Sequence, residues 1–201
     1  MAAVRRWLLL ACLLSTTVAV QAQTDSVIAH GKVDGGAPGW AISANAPAGW
    51  TADCCQYARA IGVNLVMYRG EWTGEPDQVM VLNVWPRKLP TLDAESQDDR
   101  KHYLQRDPAA KFQSFDVHAD KPMACQGSVY QGTDHVDDVV VFCDLGQATG
   151  IRLSWSMTLA ANTPNREQVL DQFRNVIEHS RYMPYDDKNE ASAEKASKGK
   201  H

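Results

Sequence analysis

Catalytic signatures are missing from these 201 residues: there is no Gly-x-Ser-x-Gly elbow, no His-Glu-x-x-His pair and no phosphate-binding glycine loop. Gly127-Ser128 lacks the second glycine of an elbow and falls in a stretch that reads as strand. A hydrolase built on this chain would have to gather nucleophile, base and oxyanion donors from dispersed positions. Positive charge is also short. With 20 basic against 24 acidic residues, the chain has nothing to attract a phosphate backbone, so nucleic acid is not an expected partner. Beyond the first two dozen residues no segment is both long and free of charge, which leaves no membrane span. Internal repeats are absent.

What the chain does have begins at its start. Arg5 and Arg6 precede an apolar stretch from Trp7 to Val20, and Val20-Gln21-Ala22 supplies the small-residue site of signal-peptide cleavage. The expected organisation is a signal peptide over 1–22, one α+β domain over 23–185 and a disordered tail over 186–201. The tail is rich in Asp, Glu, Lys, Ser and Ala, with nothing large and apolar to offset the entropy of ordering. Removing Arg5 and Arg6 leaves 18 basic and 24 acidic residues, a formal charge of −6. The predicted location is periplasmic or secreted.

Cys12 leaves with the signal, so Cys54, Cys55, Cys125 and Cys143 remain, and an even number in an oxidising compartment predicts two disulfides. Cys125 and Cys143 lie equidistant from Asp134 in a turn-like segment, which would set them opposite each other on paired strands. That pairing leaves Cys54 with Cys55. Because a bond between sequence neighbours strains the intervening peptide, the two crossed pairings stay open.

Strands are expected over 27–33, 40–44, 63–68, 78–85, 112–118, 124–131, 136–144 and 151–159. The last is the clearest: Ile151, Leu153, Trp155, Met157 and Leu159 alternate with Arg152, Ser154, Ser156 and Thr158, one face buried and one wet. Asp53, with Gln56 three residues on, caps a helix of about two turns closed by Gly62 and opened by the two cysteines. Thr91 or Asp93 caps a surface helix that stops at Asp107-Pro108. Thr163 and Pro164 start a final helix whose stripe of Val169, Leu170, Phe173, Val176 and Ile177 covers the apolar side of the sheet. The fold class is therefore α+β: a mainly antiparallel sheet with two longer helices and one short one, the C-terminal helix packed on the sheet.

The Pro47-Ala48-Gly49-Trp50 turn, the Leu65 to Trp85 hairpin, the mid-chain helix, the strand meander and the closing Phe173-Arg174-Asn175-Val176-Ile177 helix together resemble the PsbP-like fold, which includes the DcrB-like exported proteins of bacteria. The resemblance spans about Trp40 to Tyr182. It implies a compact sheet flanked by helices and a role in binding or assembly rather than catalysis, and it carries over no functional residue.

Four groups of side chains are candidates for chemistry. A thiol at Cys54 or Cys55 would be activated by a helix N-terminus, but the pair lacks the spacer of a Cys-x-x-Cys motif and a structural bridge is favoured. Asp134, His135, Asp137 and Asp138 crowd a turn and could hold a divalent cation, although the spacing matches neither an EF-hand nor a zinc signature. Asp116, His118 and Asp120 alternate as if on one strand face. Trp72, in the loop Glu71-Trp72-Thr73-Gly74, reads as an exposed partner contact. The expectation is an exported, non-enzymatic domain that binds a protein in the cell envelope or outside the cell, as adaptor, inhibitor or immunity-type factor, without a cofactor. The competing readings are a small hydrolase and a carrier of cations or small ligands.

Overall fold

Ten strands and three helices follow one another in the computed structural model, which describes residues 26–32, 38–72, 76 and 78–185. The expected signal peptide and tail lie outside the described residues. The strands are β1 (Ser26–Gly31), β2 (Trp40–Asn45), β3 (Trp50–Asp53), β4 (Leu65–Arg69), β5 (Val79–Pro86), β6 (Lys111–Phe115), β7 (Ala124–Gln131), β8 (Val136–Asp144), β9 (Ile151–Ala160) and β10 (Arg181–Pro184). The helices are α1 (Tyr57–Ala60), α2 (Leu92–Arg106) and α3 (Arg166–Glu178).

The strands form two antiparallel sheets. The larger has the order β3-β4-β5-β9-β8-β7-β6 and the smaller the order β1-β2-β10. Central β9 pairs Trp155 with Leu82 on one side and with Val141 on the other, so the inner face of the large sheet presents Leu82, Trp155, Val141, Met80, Met157 and Val139 together. This face meets α3 and the small sheet. Phe173 is fully buried with Trp155, Leu153 and Ile42 in one core, and its ring sits 6.0 Å from Phe115. The stripe read from the sequence, Val169, Leu170, Phe173, Val176 and Ile177, is buried throughout. Cutting Phe173 back to alanine would cost about 3 to 5 kcal/mol, the usual range for a buried aromatic.

Several local expectations are corrected. Two strands escaped the sequence reading: β3 is only four residues long, and β10 follows α3 after a tight reversal at Ser180, pairing Tyr182 with Ile42. Thr163 does not cap α3. Its hydroxyl donates to the Ala160 carbonyl at 2.6 Å, and the helix starts at Arg166 behind Asn165, which is in the left-handed region. α1 has one turn, not two. The carboxylate of Asp53 accepts from the N–H groups of Cys55, Gln56, Tyr57 and Ala58 at 2.7–3.2 Å, and residues 54–56 form a bend ahead of the helix.

The outward-facing side of β9 departs furthest from expectation. Arg152 and Ser154 are buried, because α2 lies over β7 and β8 and closes that end of the outer face. Arg152 donates to Asp144 at 2.8 Å and to the Leu89 carbonyl at 3.3 Å, and its Nε lies 3.3 Å from Glu95 of α2. Arg87 adds a second cation to Asp144. The expected alternation of wet and dry survives at the other end of β9, where Ser156 is half-buried and Thr158 exposed.

Candidate functional site: the uncovered outer face of the large sheet

Between α2 and the aromatic cluster around α1, no element among the described residues covers the outer face. The register sets the floor: Val79 pairs with Thr158, Val81 with Ser156, Val140 with Ser156 and Asp138 with Thr158, all on the same face. Asp99, Tyr103 and Arg106 of α2 form one wall of a groove of about 360 Å3 above it. The rim continues over the β7–β8 turn through Asp107, Thr133 and Asp134.

The α2 wall is held by stacked rings. Tyr103 lies over Tyr130 with centroids 4.3 Å apart and planes within 11°, and Tyr130 is tilted against Phe112. The hydroxyl of Tyr130, fully buried, donates to Asp99 at 2.7 Å. Burial pushes the Asp99 carboxyl above its usual range, opposed by the Tyr130 hydrogen bond and the Arg106 charge. Asp138 is raised for the same first reason and is opposed by its hydrogen bond from Tyr103. The Tyr103 hydroxyl is pushed up to about 12 by burial and then by the carboxylates of Asp138, Asp134 and Asp107. The wall is thus two tyrosine–carboxylate pairs with acidic groups that take up protons more readily than free ones.

The opposite flank is aromatic. Trp72 stacks on Tyr57 at 5.0 Å and meets Tyr68 edge-on at 5.1 Å, and this cluster packs on Val63, Val66, Val79 and Val81. Trp72 is therefore half-buried where the sequence suggested an exposed tip, because Tyr57, brought up by α1, covers one face of the indole. No pattern visible in the sequence linked Trp72 to Tyr57 or Tyr103 to Tyr130. Only the strand alternation could have placed Val79, Val81 and Thr158 together.

The remaining candidates are distributed differently. Asp137 and Asp138 are neighbours on β8 and so face opposite sides of the sheet: Asp137 is buried on the inner face against Arg166 at 2.7 Å, while Asp138 faces the groove. Asp134 accepts the Val136 N–H at 3.0 Å within its own turn, and His135, at φ 65°, is exposed. Among the described residues no three His, Cys, Asp or Glu side chains are grouped to hold a metal ion. Asp116, His118 and Asp120 lie in the coil after β6 rather than on a strand, and Asp120 pairs with Arg181 at 2.8 Å. Gly127 serves packing: a Cβ there would lie 2.4 Å from the Phe115 carbonyl. Cys125 and Cys143 pair across β7 and β8 with Cα atoms 4.1 Å apart, and Cys54 is bonded to Cys55.

A larger groove, about 520 Å3, runs between α3 and residues 45–48. Its exposed Gln168, Asp171, Asn175 and His179 belong to the wet side of α3, with no buried polar group aimed into it. The outer-face groove, with its apolar floor and fixed polar wall, is the stronger candidate despite its smaller volume.

Fold and site together define, among the described residues, a two-sheet α+β domain with one large face closed by a helix and a small sheet and the other partly open. No protein-family model matches this chain, and no curated protein matches it. Among solved structures it is similar to cyanobacterial PsbP (CyanoP) from Synechocystis sp. PCC 6803, at 12% identity over 86% of this chain and 99% of that one, TM-score 0.49. LpqN, involved in cell envelope biogenesis of Mycobacterium tuberculosis, aligns at 10% identity over 79% of this chain and 92% of its own, TM-score 0.49. The Ran-binding protein Mog1p of Saccharomyces cerevisiae aligns at 10% identity over 79% and 96%, TM-score 0.48. What those three proteins bind remains a property of those proteins.

Proposed function

We propose that the mature chain is an exported, non-enzymatic domain that binds another protein in the cell envelope or outside the cell, as an adaptor, inhibitor or immunity-type factor. The contact surface is the outer-face groove. The observation that carries this reading is the combination, on one sheet face that no described element covers, of partly exposed Val79, Val81 and Val140 with a rim of Arg106, Asp99 bonded to Tyr130, and Asp138 bonded to Tyr103. An apolar centre inside a polar, aromatic-rich rim is the anatomy of protein interfaces. The net acidity of the chain favours a partner with a basic contact surface. Two disulfides and the signal-like N-terminus support export. Binding is favoured over catalysis by the lining of the groove: among the described residues His30, His102, His118, His135 and His179 all lie outside it, so no imidazole base stands beside Ser156 or Thr158.

Thr158 is exposed at the floor of the groove, so Thr158→Arg blocks it without disturbing the core. The mature chain, Thr158→Arg and the control Gln168→Arg on α3 are each used as bait in envelope extracts. A partner held by the first and third and lost by at least tenfold with Thr158→Arg, at unchanged Tm, is the expected result. A partner retained equally by Thr158→Arg, or no specific partner at all, contradicts the reading.

A further inference from the structure

The two disulfides occupy opposite situations. Cys125–Cys143 bridges two interior strands of the large sheet, with Cys143 fully buried. Cys54–Cys55 sits at the end of edge strand β3, with Cys54 half-buried against the core and Cys55 exposed. A disulfide stabilises a fold mainly by closing a loop in the unfolded chain, and a bond between neighbours closes the smallest loop available. The Cys54–Cys55 bond therefore adds little to global stability. Its place is local: it ties two of the three residues, 54–56, that form the bend ahead of α1.

The capping geometry marks the same segment as a helix start. Asp53 accepts from the N–H groups of Cys55 at 3.2 Å and Gln56 at 3.0 Å, the second and third positions of a helix that would begin at Cys54. The same carboxylate also accepts from Tyr57 at 2.7 Å and Ala58 at 3.0 Å, donors that a continuous helix would direct to the carbonyls of Asp53 and Cys54. Burial raises the Asp53 pKa, but these four backbone donors outweigh it and hold the group below the usual carboxylate range. An N-cap for a longer helix is thus already in place, and α1 starts three residues late.

We propose that Cys54–Cys55 is a thiol–disulfide exchange site for a protein dithiol, and that its reduction lets residues 54–56 join α1. The donor's thiolate attacks Sγ of exposed Cys55, the Cys54–Cys55 bond breaks, and Cys54 leaves as a thiolate that takes up a proton. The donor's second thiolate then attacks its own sulfur in the mixed disulfide and releases Cys55, which is protonated in turn. Two electrons and two protons pass to the pair, and the donor becomes a disulfide. Tyr57, which stacks on Trp72, lies in the turn that is rebuilt, so the step reaches the aromatic flank of the outer face.

The test uses the oxidised mature chain under native conditions with a Cys-x-x-Cys protein whose second cysteine is replaced by serine. Mixed disulfides are trapped, free thiols are capped with N-ethylmaleimide, and peptides are mapped by mass. The expected product joins the donor to Cys55, with Cys54 capped and Cys125–Cys143 intact, and forms at least tenfold faster than any opening of the latter. Equal rates for the two bridges, or no trapped species at Cys55 or Cys54, overturns the exchange site. The Cα chemical shifts of residues 54–56 are then compared between the oxidised chain, the reduced chain and Cys54→Ser/Cys55→Ser. Movement to helical values on reduction supports the extension of α1, and unchanged values refute it. The reduced wild-type chain answers the question even if the double variant does not fold.

Discussion

Replacing Arg152 by methionine keeps most of the buried stem and deletes the charge, which isolates what the guanidinium contributes. Arg152 is fully buried, with Asp144 at 2.8 Å and Glu95 at 3.3 Å. After the substitution Asp144 keeps Arg87 and the Gly146 N–H, so one carboxylate, Glu95, loses its cation. Stranding a buried charge costs about 3 to 5 kcal/mol, and the remaining support of Asp144 places the expected loss at about 3 kcal/mol. For a domain of this size that is roughly 10 °C in Tm. The pH dependence identifies the cause. Burial already raises the Glu95 pKa above its ordinary 4.5 even though the Arg152 charge lowers it. A carboxyl with a raised folded pKa weakens the fold as pH climbs from the unfolded value through the folded one, and imposes no cost below 4.5, where it is protonated in both states. Without Arg152 the folded pKa rises further, so the deficit of the variant is largest near pH 7 and shrinks toward pH 4. Urea unfolding followed by tryptophan fluorescence at both pH values measures it, and adding Glu95→Gln should recover about half of the loss at pH 7. A variant as stable as wild type, or an identical deficit at the two pH values, would refute this account of the ion network.

Asp53→Ala removes the acceptor of four backbone N–H groups and should cost about 1 to 2 kcal/mol near pH 7. Because the folded pKa of Asp53 lies below its ordinary 3.8, that contribution is complete above 3.8 and disappears as pH falls through the folded value, so the two proteins converge in acid. Cys125→Ser/Cys143→Ser opens a bridge of sequence separation 18 and should lower stability by about 3 kcal/mol in urea melts, whereas Cys54→Ser/Cys55→Ser should leave the midpoint nearly unchanged.

Much of the architecture was legible because it follows from periodicity. The alternation of β9 and the stripe on α3 each announced a buried face, and both faces meet in the core around Phe173 and Trp155. The equal spacing of Cys125 and Cys143 about Asp134 translated directly into a paired position on β7 and β8. Tertiary cover was not legible. Arg152 and Ser154 occupy positions that alternation marks as wet, and they are buried because α2, itself weakly amphipathic, lies over that part of the sheet. The site was hidden for a related reason: Val79, Ser156 and Asp138 come from three strands, and Tyr103 from a helix far away in sequence, so no local motif joins them. The divergence of the acidic turn was not legible either: neighbouring aspartates on a strand face opposite sides, sending Asp137 to Arg166 and Asp138 to the groove.

The outer face is tested most directly in the living cell by a photo-crosslinking amino acid at position 158, with position 168 on α3 as control. The account predicts one discrete crosslinked species from position 158, abolished by Val81→Arg, and none from position 168. Crosslinks from position 168 alone, or a species from position 158 that survives Val81→Arg in a chain shown to be folded, would contradict it.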